Sequence, residues 1–366
     1  MSGSAALRPV STRLSDGREL LYFDDHPGVA HAGVDGRALE PVHLTGDVRW
    51  DALAAEWVIV AAHRQGRTHL PADDDCPLCP SRDGRHSEIP EPTYDVVVFE
   101  NRFPSLAQSV AAPTPLDMGS LVPQLPARGR CEVMCYSPDH DVSLGTLPVR
   151  RLRTVLDAWS HRTAALSALD GTAYVFVFEN RGAEIGVTLS HPHGQIYAYP
   201  FVPPIVQRMH DAVRRHRAEH GENLFGALLR AEQVAGTRVV LASKHWTVLV
   251  PAAARWPIEV HLYPNAPVAD LRGLTDEVAA DFCLVYRDLL GRLDRVFGVP
   301  LPYIAAWYQA PVLDPTDWWL HLRVLSIRRS AHKTKYLAGS ESAMGAFIND
   351  ITPERAAAML RDAGGD

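Results

Sequence analysis

Two stretches of this chain run through the same succession of elements, and that repeat restricts the fold more than any other feature. In the first, strand-like runs at 94–99 and 131–136 precede a helical pattern at 150–166, and runs at 174–178 and 195–199 follow it. In the second, runs at 246–250 and 259–263 precede a helical pattern at 276–297, and runs at 303–307 and 319–327 follow. The helices rest on apolar spacing. Leu152, Val155, Leu156, Trp159 and Thr163 recur at helical intervals, as do Val278, Phe282, Val285, Tyr286, Leu289 and Leu293. Thr275 can cap the second helix, Asp276 and Glu277 suit its positive end, and Gly298 and Pro300 stop it. The spacing predicts an α+β fold: one pseudo-symmetric body with antiparallel sheet, its halves at 15–202 and 203–360. An α+β chain without duplication can alternate in the same way. A further short strand is expected at 19–23 and another at 57–61, with a long loop over 105–130.

Composition narrows the function classes. At 366 residues, with 46% hydrophobic and 22% charged residues, the chain can bury a substantial core. Its net charge of −7 gives no basic excess, so no nucleic-acid partner is expected and any phosphate must be bound locally. No apolar run reaches the ~18 residues of a membrane span. Residues 1–7 lack the apolar core of a signal peptide, so no membrane partner and a cytoplasmic location are expected. Five cysteines, an odd count, fit a reducing compartment. The close pair Cys76 and Cys79 then reads as metal ligands before disulfide, with a chance pair on a loop as the bland alternative.

The run His191-Pro192-His193-Gly194-Gln195 carries the chemistry. It lies between the strand-like 174–178 and 196–199, behind a polar loop, Glu179-Asn180-Arg181-Gly182. Two imidazoles two positions apart would share a face if the backbone is extended. The glycine would let a bulky anion approach the main chain, and a glutamine offers amide donors to a phosphate oxygen. A neutral imidazole, with a pKa near ~6.5, is a competent nucleophile toward phosphorus. The P–N bond it forms stays reactive, whereas serine would give a more inert ester. A leaving group that is itself a phosphate departs without much protonation, so a general acid is dispensable. Gln195 cannot give up a proton but can hold a non-bridging oxygen. His193 is therefore read as nucleophile and Gln195 as phosphoryl anchor.

Four elements occur in order: Cys76-Pro77-Leu78-Cys79, Ser137-Pro138-Asp139-His140, Phe178-Glu179-Asn180-Arg181-Gly182 and His191-Pro192-His193-Gly194-Gln195. From about Arg64 onward the chain resembles the galactose-1-phosphate uridylyltransferase family, the transferase branch of the histidine-triad superfamily. The resemblance implies a duplicated histidine-triad-like fold, with nucleophile and metal site in the N-terminal half. It implies double displacement. UDP-glucose would uridylylate His193 and release glucose 1-phosphate, and galactose 1-phosphate would then leave as UDP-galactose.

It implies one structural zinc on Cys76, Cys79, His140 and His191, a closed four-ligand set with no position open to substrate. The family often holds a second metal, usually iron, but Met209, Tyr308 and Arg323 stand at three of its four ligand positions. Only His321 remains, so a second iron site is expected to be absent. Arg64, Arg67, Asn101, Phe103, Asn180 and Thr188 resemble the family's substrate contacts, the arginines on phosphate and Phe103 over the pyrimidine. Lys335 and Glu341 resemble a segment that reaches into a partner's site, which implies a homodimer, although Ser340 stands where many relatives have tyrosine. Two other readings stay open: a nucleotidyltransferase or phosphorylase of the same superfamily using an ADP-sugar or a dinucleoside polyphosphate, and a non-catalytic zinc-held nucleotide-binding sensor.

Overall fold

A computed structural model describes residues 8–41, 45–66, 71–72, 75–82 and 84–365. Eleven strands form one antiparallel sheet. In chain order they are β1 (Val10–Arg13), β2 (Glu19–Phe23), β3 (Val96–Glu100), β4 (Arg130–Cys135), β5 (Tyr174–Arg181), β6 (His193–Tyr199), β7 (Val239–Ala242), β8 (Trp246–Leu249), β9 (Ile258–Pro264), β10 (Tyr303–Tyr308) and β11 (His321–Ser326). Their order across the sheet is β1-β2-β3-β4-β6-β5-β10-β11-β9-β8-β7. In each half the fifth strand lies between the third and the fourth: β2-β3-β4-β6-β5 in one, β7-β8-β9-β11-β10 in the other. The halves join where β5 and β10 pair, Tyr303 opposite Arg181 and Ala306 opposite Phe178. This shared topology, with one helix before the fourth strand of each half, bears out the duplicated α+β body.

Those two helices cover one face of the sheet. We call them α1 (Val149–Ser167) and, since two others precede it in the chain, α4 (Asp276–Arg295); between them lie α2 (Pro204–His220) and α3 (Leu224–Ala235). Thr275 caps α4 by accepting from the Val278 amide. Side-chain alternation decides what meets the helices. Val175, Val177, Ile196 and Ala198 from one half and Val260, Leu262, Leu322 and Val324 from the other join α1 and α4 in a single buried core. Trp307 sits at its centre, edge-on to Trp159 and Trp246 with ring centroids 6.2 Å away in each case. One core through both halves leaves neither as an independent domain.

The opposite face differs between halves. In the second, α2 and α3 lie on it, packing Val206, Val213, Phe225 and Leu229 against Tyr174, Trp318 and Trp319. In the first, a three-stranded sheet (Asp47–Asp51, Glu56–Val60, Gln124–Pro126) covers only part of it, over Cys131 and Tyr197. The segment carrying Cys76, Leu78, Cys79 and Ile89 packs over more of it, against Val97, Phe99, Val133 and Cys135, and the site forms on the part left open.

Several expectations change. The polar run at Glu179–Arg181 is strand, because β5 is flanked on both sides and each polar side chain has somewhere to go. Glu179 accepts from the Tyr303 hydroxyl at 3.1 Å, and Arg181 pairs with Asp294 at 2.6 Å. The loop over 105–130 contributes the strand Gln124–Pro126. On α1, Arg162 is buried, its Nε and Nη2 donating to Glu132 at 2.9 and 2.7 Å. Among the described residues no helix is long and apolar enough to cross a membrane.

Candidate active site and metal centre

Strand β6 begins at His193, so His193, Gln195 and Tyr197 share the open face and Gly194 points the other way. Gly194 serves packing and not anion approach. A Cβ there would lie 2.0 Å from the hydroxyl of fully buried Tyr136 and 3.0 Å from the carbonyl oxygen of Phe178. Any larger residue would push β6 off β4 and β5. His191 precedes the strand and is buried; its ring turns to the cysteines.

The ligand types converge as the motifs suggest. Donor atoms of Cys76, Cys79, His140 and His191 all lie within 4.8 Å of one another. Cys79 Sγ is 3.2 Å from His140 Nδ1 and 3.6 Å from His191 Nδ1. Zinc bonds of about 2.0–2.3 Å put neighbouring tetrahedral donors roughly 3.3–3.8 Å apart, so a metal fits among these atoms. The far nitrogens are engaged as metal-binding imidazoles require. His191 Nε2 donates to the Ser137 carbonyl at 2.9 Å, and His140 Nε2 lies 3.0 Å from Ser190 Oγ. Burial, with help from the neighbouring Cys76, pushes the Cys79 thiol up to about 11 in the metal-free chain. A bound cation reverses that preference by stabilising thiolate. Burial lowers His191 to about 4, which keeps it in the neutral, ligating form.

His193 is tied to this cluster through the main chain. Its Nδ1 donates to the carbonyl oxygen of His191 at 2.8 Å, so the proton sits on Nδ1 and the lone pair on Nε2. Burial lowers its pKa, favouring the neutral ring. The ring borders three cavities of about 460, 260 and 260 Å³. The first is lined by Asn180, Arg181, Ser143 and Glu179 together with Val142, Val187 and Leu189. The second places Phe99, Phe103, Leu78 and Val133 beside Arg64 and Asn101. The third holds Arg64, Asn180, Thr188, Gln195 and Tyr197.

Arg64, Asn101, Phe103, Asn180, Thr188, His193 and Gln195 thus come together. Asn101 also shapes its own turn, its Oδ1 accepting from the Phe103 amide at 2.9 Å. Arg67 lies outside the described residues. Lys335 and Glu341 border none of these cavities; they pair with each other at 3.3 Å, and Lys335 also bonds the Ile348 carbonyl. Sequence reasoning missed Glu179 and Tyr197. The period of two from Gln195 would have found Tyr197.

The four positions read against a second metal also converge, around a guanidinium. Arg323 Nε donates to His321 Nε2 at 3.1 Å, Nη2 lies 3.4 Å from Met209 Sδ, and the group sits 4.3 Å over the Tyr308 ring. His321 is fully buried and hydrogen-bonded on both ring nitrogens.

A duplicated antiparallel body with one half-open histidine, fixed at Nδ1 beside a Cys2His2 cluster, defines a class: histidine-triad-like nucleotidyltransferases of the duplicated form. Residues 40–203 match the family model for the N-terminal domain of galactose-1-phosphate uridyl transferase, and residues 210–364 match that for its C-terminal domain. The chain belongs to this family. It is 44% identical to the galactose-1-phosphate uridylyltransferase of Streptomyces lividans, over 97% of this chain and 98% of the relative. It is 36% identical to that of Thermotoga maritima, over 86% and 98%. A solved uridylyltransferase structure superposes with a TM-score of 0.78 at 34% identity, covering 87% of this chain and 98% of the other.

Proposed function

We propose that this chain transfers the uridylyl group of UDP-glucose to galactose 1-phosphate, giving UDP-galactose and glucose 1-phosphate. The observation that carries the reading is the His193 ring, its Nε2 lone pair set by the Nδ1 bond to His191 and its edge on three cavities. Nε2 attacks the α-phosphorus of UDP-glucose. A P–N bond forms, the P–O bond to the sugar phosphate breaks, and that electron pair leaves with glucose 1-phosphate. A phosphate oxygen of galactose 1-phosphate then attacks the same phosphorus, and the P–N pair returns to Nε2.

Arg64, Thr188 and the Gln195 amide supply donors to the non-bridging oxygens, where charge develops. Phe103 and the second cavity, with its two aromatic rings, take the base; Asn180 and the first cavity take the hexose phosphate. Cys76, Cys79, His140 and His191 hold one structural zinc, whose part is to fix the His191 backbone under His193. The Arg323 cation takes the room that a second metal would need. The halves divide near 202, and a homodimer brings Lys335 and Glu341 of one protomer to its partner's site. Five free cysteines suit a cytoplasmic enzyme.

The test is isotope exchange between radiolabelled glucose 1-phosphate and UDP-glucose without galactose 1-phosphate. Exchange is expected, and its loss in His193→Gly. Exchange with ADP-glucose but not UDP-glucose would move the chain to another nucleotide; none with either would leave a sensor.

A further inference from the structure

The side chain beyond Gln195 on the same strand face is Tyr197, and its hydroxyl donates to Gln195 Oε1 at 2.9 Å. An amide has two unlike ends: the carbonyl only accepts, the NH2 only donates. A phosphoryl oxygen carries negative charge and needs donors. If the amide turned over, its carbonyl would face that charge and repel it. A hydroxyl bound to the carbonyl end biases the amide against turning over, because the phenol, a better donor than acceptor, would lose the carbonyl and would have to turn its own proton away to accept from the NH2.

Tyr197 is itself held. It is 9% exposed, its ring edge-on to Phe178 at 5.2 Å and to Tyr199 at 5.9 Å. Gln195 and Tyr197 border the cavity that also holds Arg64 and His193. We propose that Tyr197 is a positioning residue for transfer: it locks the Gln195 amide with its NH2 toward the phosphoryl group and does not itself touch the reacting atoms. This rests on the reading of Gln195 as phosphoryl anchor.

The experiment is a double-mutant cycle on the uridylylation half-reaction, with UDP-glucose Kd measured alongside. Tyr197→Phe removes one oxygen beside an open cavity and keeps the packed ring. Gln195→Ala should slow uridylylation about 100-fold, the size of one lost oxyanion donor. Tyr197→Phe should slow it about tenfold with Kd changed by less than about twofold, since an amide turned the wrong way costs the transition state more than the ground state. In the Gln195→Ala background the same Tyr197→Phe change should alter the rate by less than about twofold, because nothing is left to orient.

A tenfold loss in both backgrounds would overturn the proposal and make the tyrosine act on its own. An unchanged rate in Tyr197→Phe would overturn it too. A silent Gln195→Ala would instead refute the anchor reading beneath it.

Discussion

His193 and His321 hold the same station in the two halves: each begins the innermost-but-one strand of its half, and each donates from Nδ1 to the carbonyl oxygen two residues upstream, at 2.8 and 2.9 Å. What separates them is the residue two places on. Gln195 leaves the His193 lone pair to the cavity, whereas Arg323 spends that of His321 as an acceptor at 3.1 Å. Helices α2 and α3 then close the second half's face. The duplication carries one competent ring.

His321→Phe should therefore leave the uridylylation rate within about twofold of wild type. It should cost about 1–3 kcal/mol of stability, since the Arg323 guanidinium loses its buried acceptor. Single-turnover kinetics and thermal melts check both. A rate loss matching that of His193→Ala would refute the division of labour.

Removing a ligand of the Cys2His2 cluster should act at a distance. In Cys79→Ser, metal content by elemental analysis should fall from about one per chain and the melting temperature should drop. Transfer should slow tenfold to a hundredfold, as when a supporting contact of a metal site is lost. The route is the His191 carbonyl that holds His193 Nδ1. Full activity in a metal-free chain would contradict it.

Much of this centre was legible. Cys76-x-x-Cys79 and the His-Pro-His-Gly-Gln run stand out by residue type, and the resemblance supplied His140. Less legible was what only a third dimension decides. Glu179–Arg181 looks like a loop by polarity and becomes strand because Tyr303 and Asp294 lie across from it. Gly194 looked like room for an anion, yet the Tyr136 hydroxyl occupies that side. Arg162 is buried on Glu132, a partner 30 residues earlier. Such pairings leave no local periodicity to read.

Glu179 gives a pH signature. Burial raises its carboxyl to about 7, against the weaker pull of Arg181 and the Tyr303 bond. The folded chain thus binds a proton that the unfolded chain has released between the ordinary carboxyl range and pH 7. Stability falls as pH rises through that window, by at most roughly 3 kcal/mol. Glu179→Gln, which stays neutral, should melt higher than wild type at pH 8 and gain less at pH 5. An equal difference at both pH values would assign the effect to packing.

Arg64 borders two of the cavities at His193. Arg64→Ala should lower kcat/KM for UDP-glucose by roughly 10- to 150-fold, the worth of a charged hydrogen bond to phosphate. Arg64→Lys should recover only part, because a point charge replaces a fork. Steady-state kinetics at two ionic strengths decide it, and no loss in Arg64→Ala would remove Arg64 from the phosphate site.

The most direct measurement is mass spectrometry of the chain after mixing with UDP-glucose alone. One uridylyl group should be found on the peptide that contains His193, labile in acid, stable in base and discharged by galactose 1-phosphate. Label on another residue, or full turnover with no labelled protein and in His193→Gly, would contradict transfer through that ring.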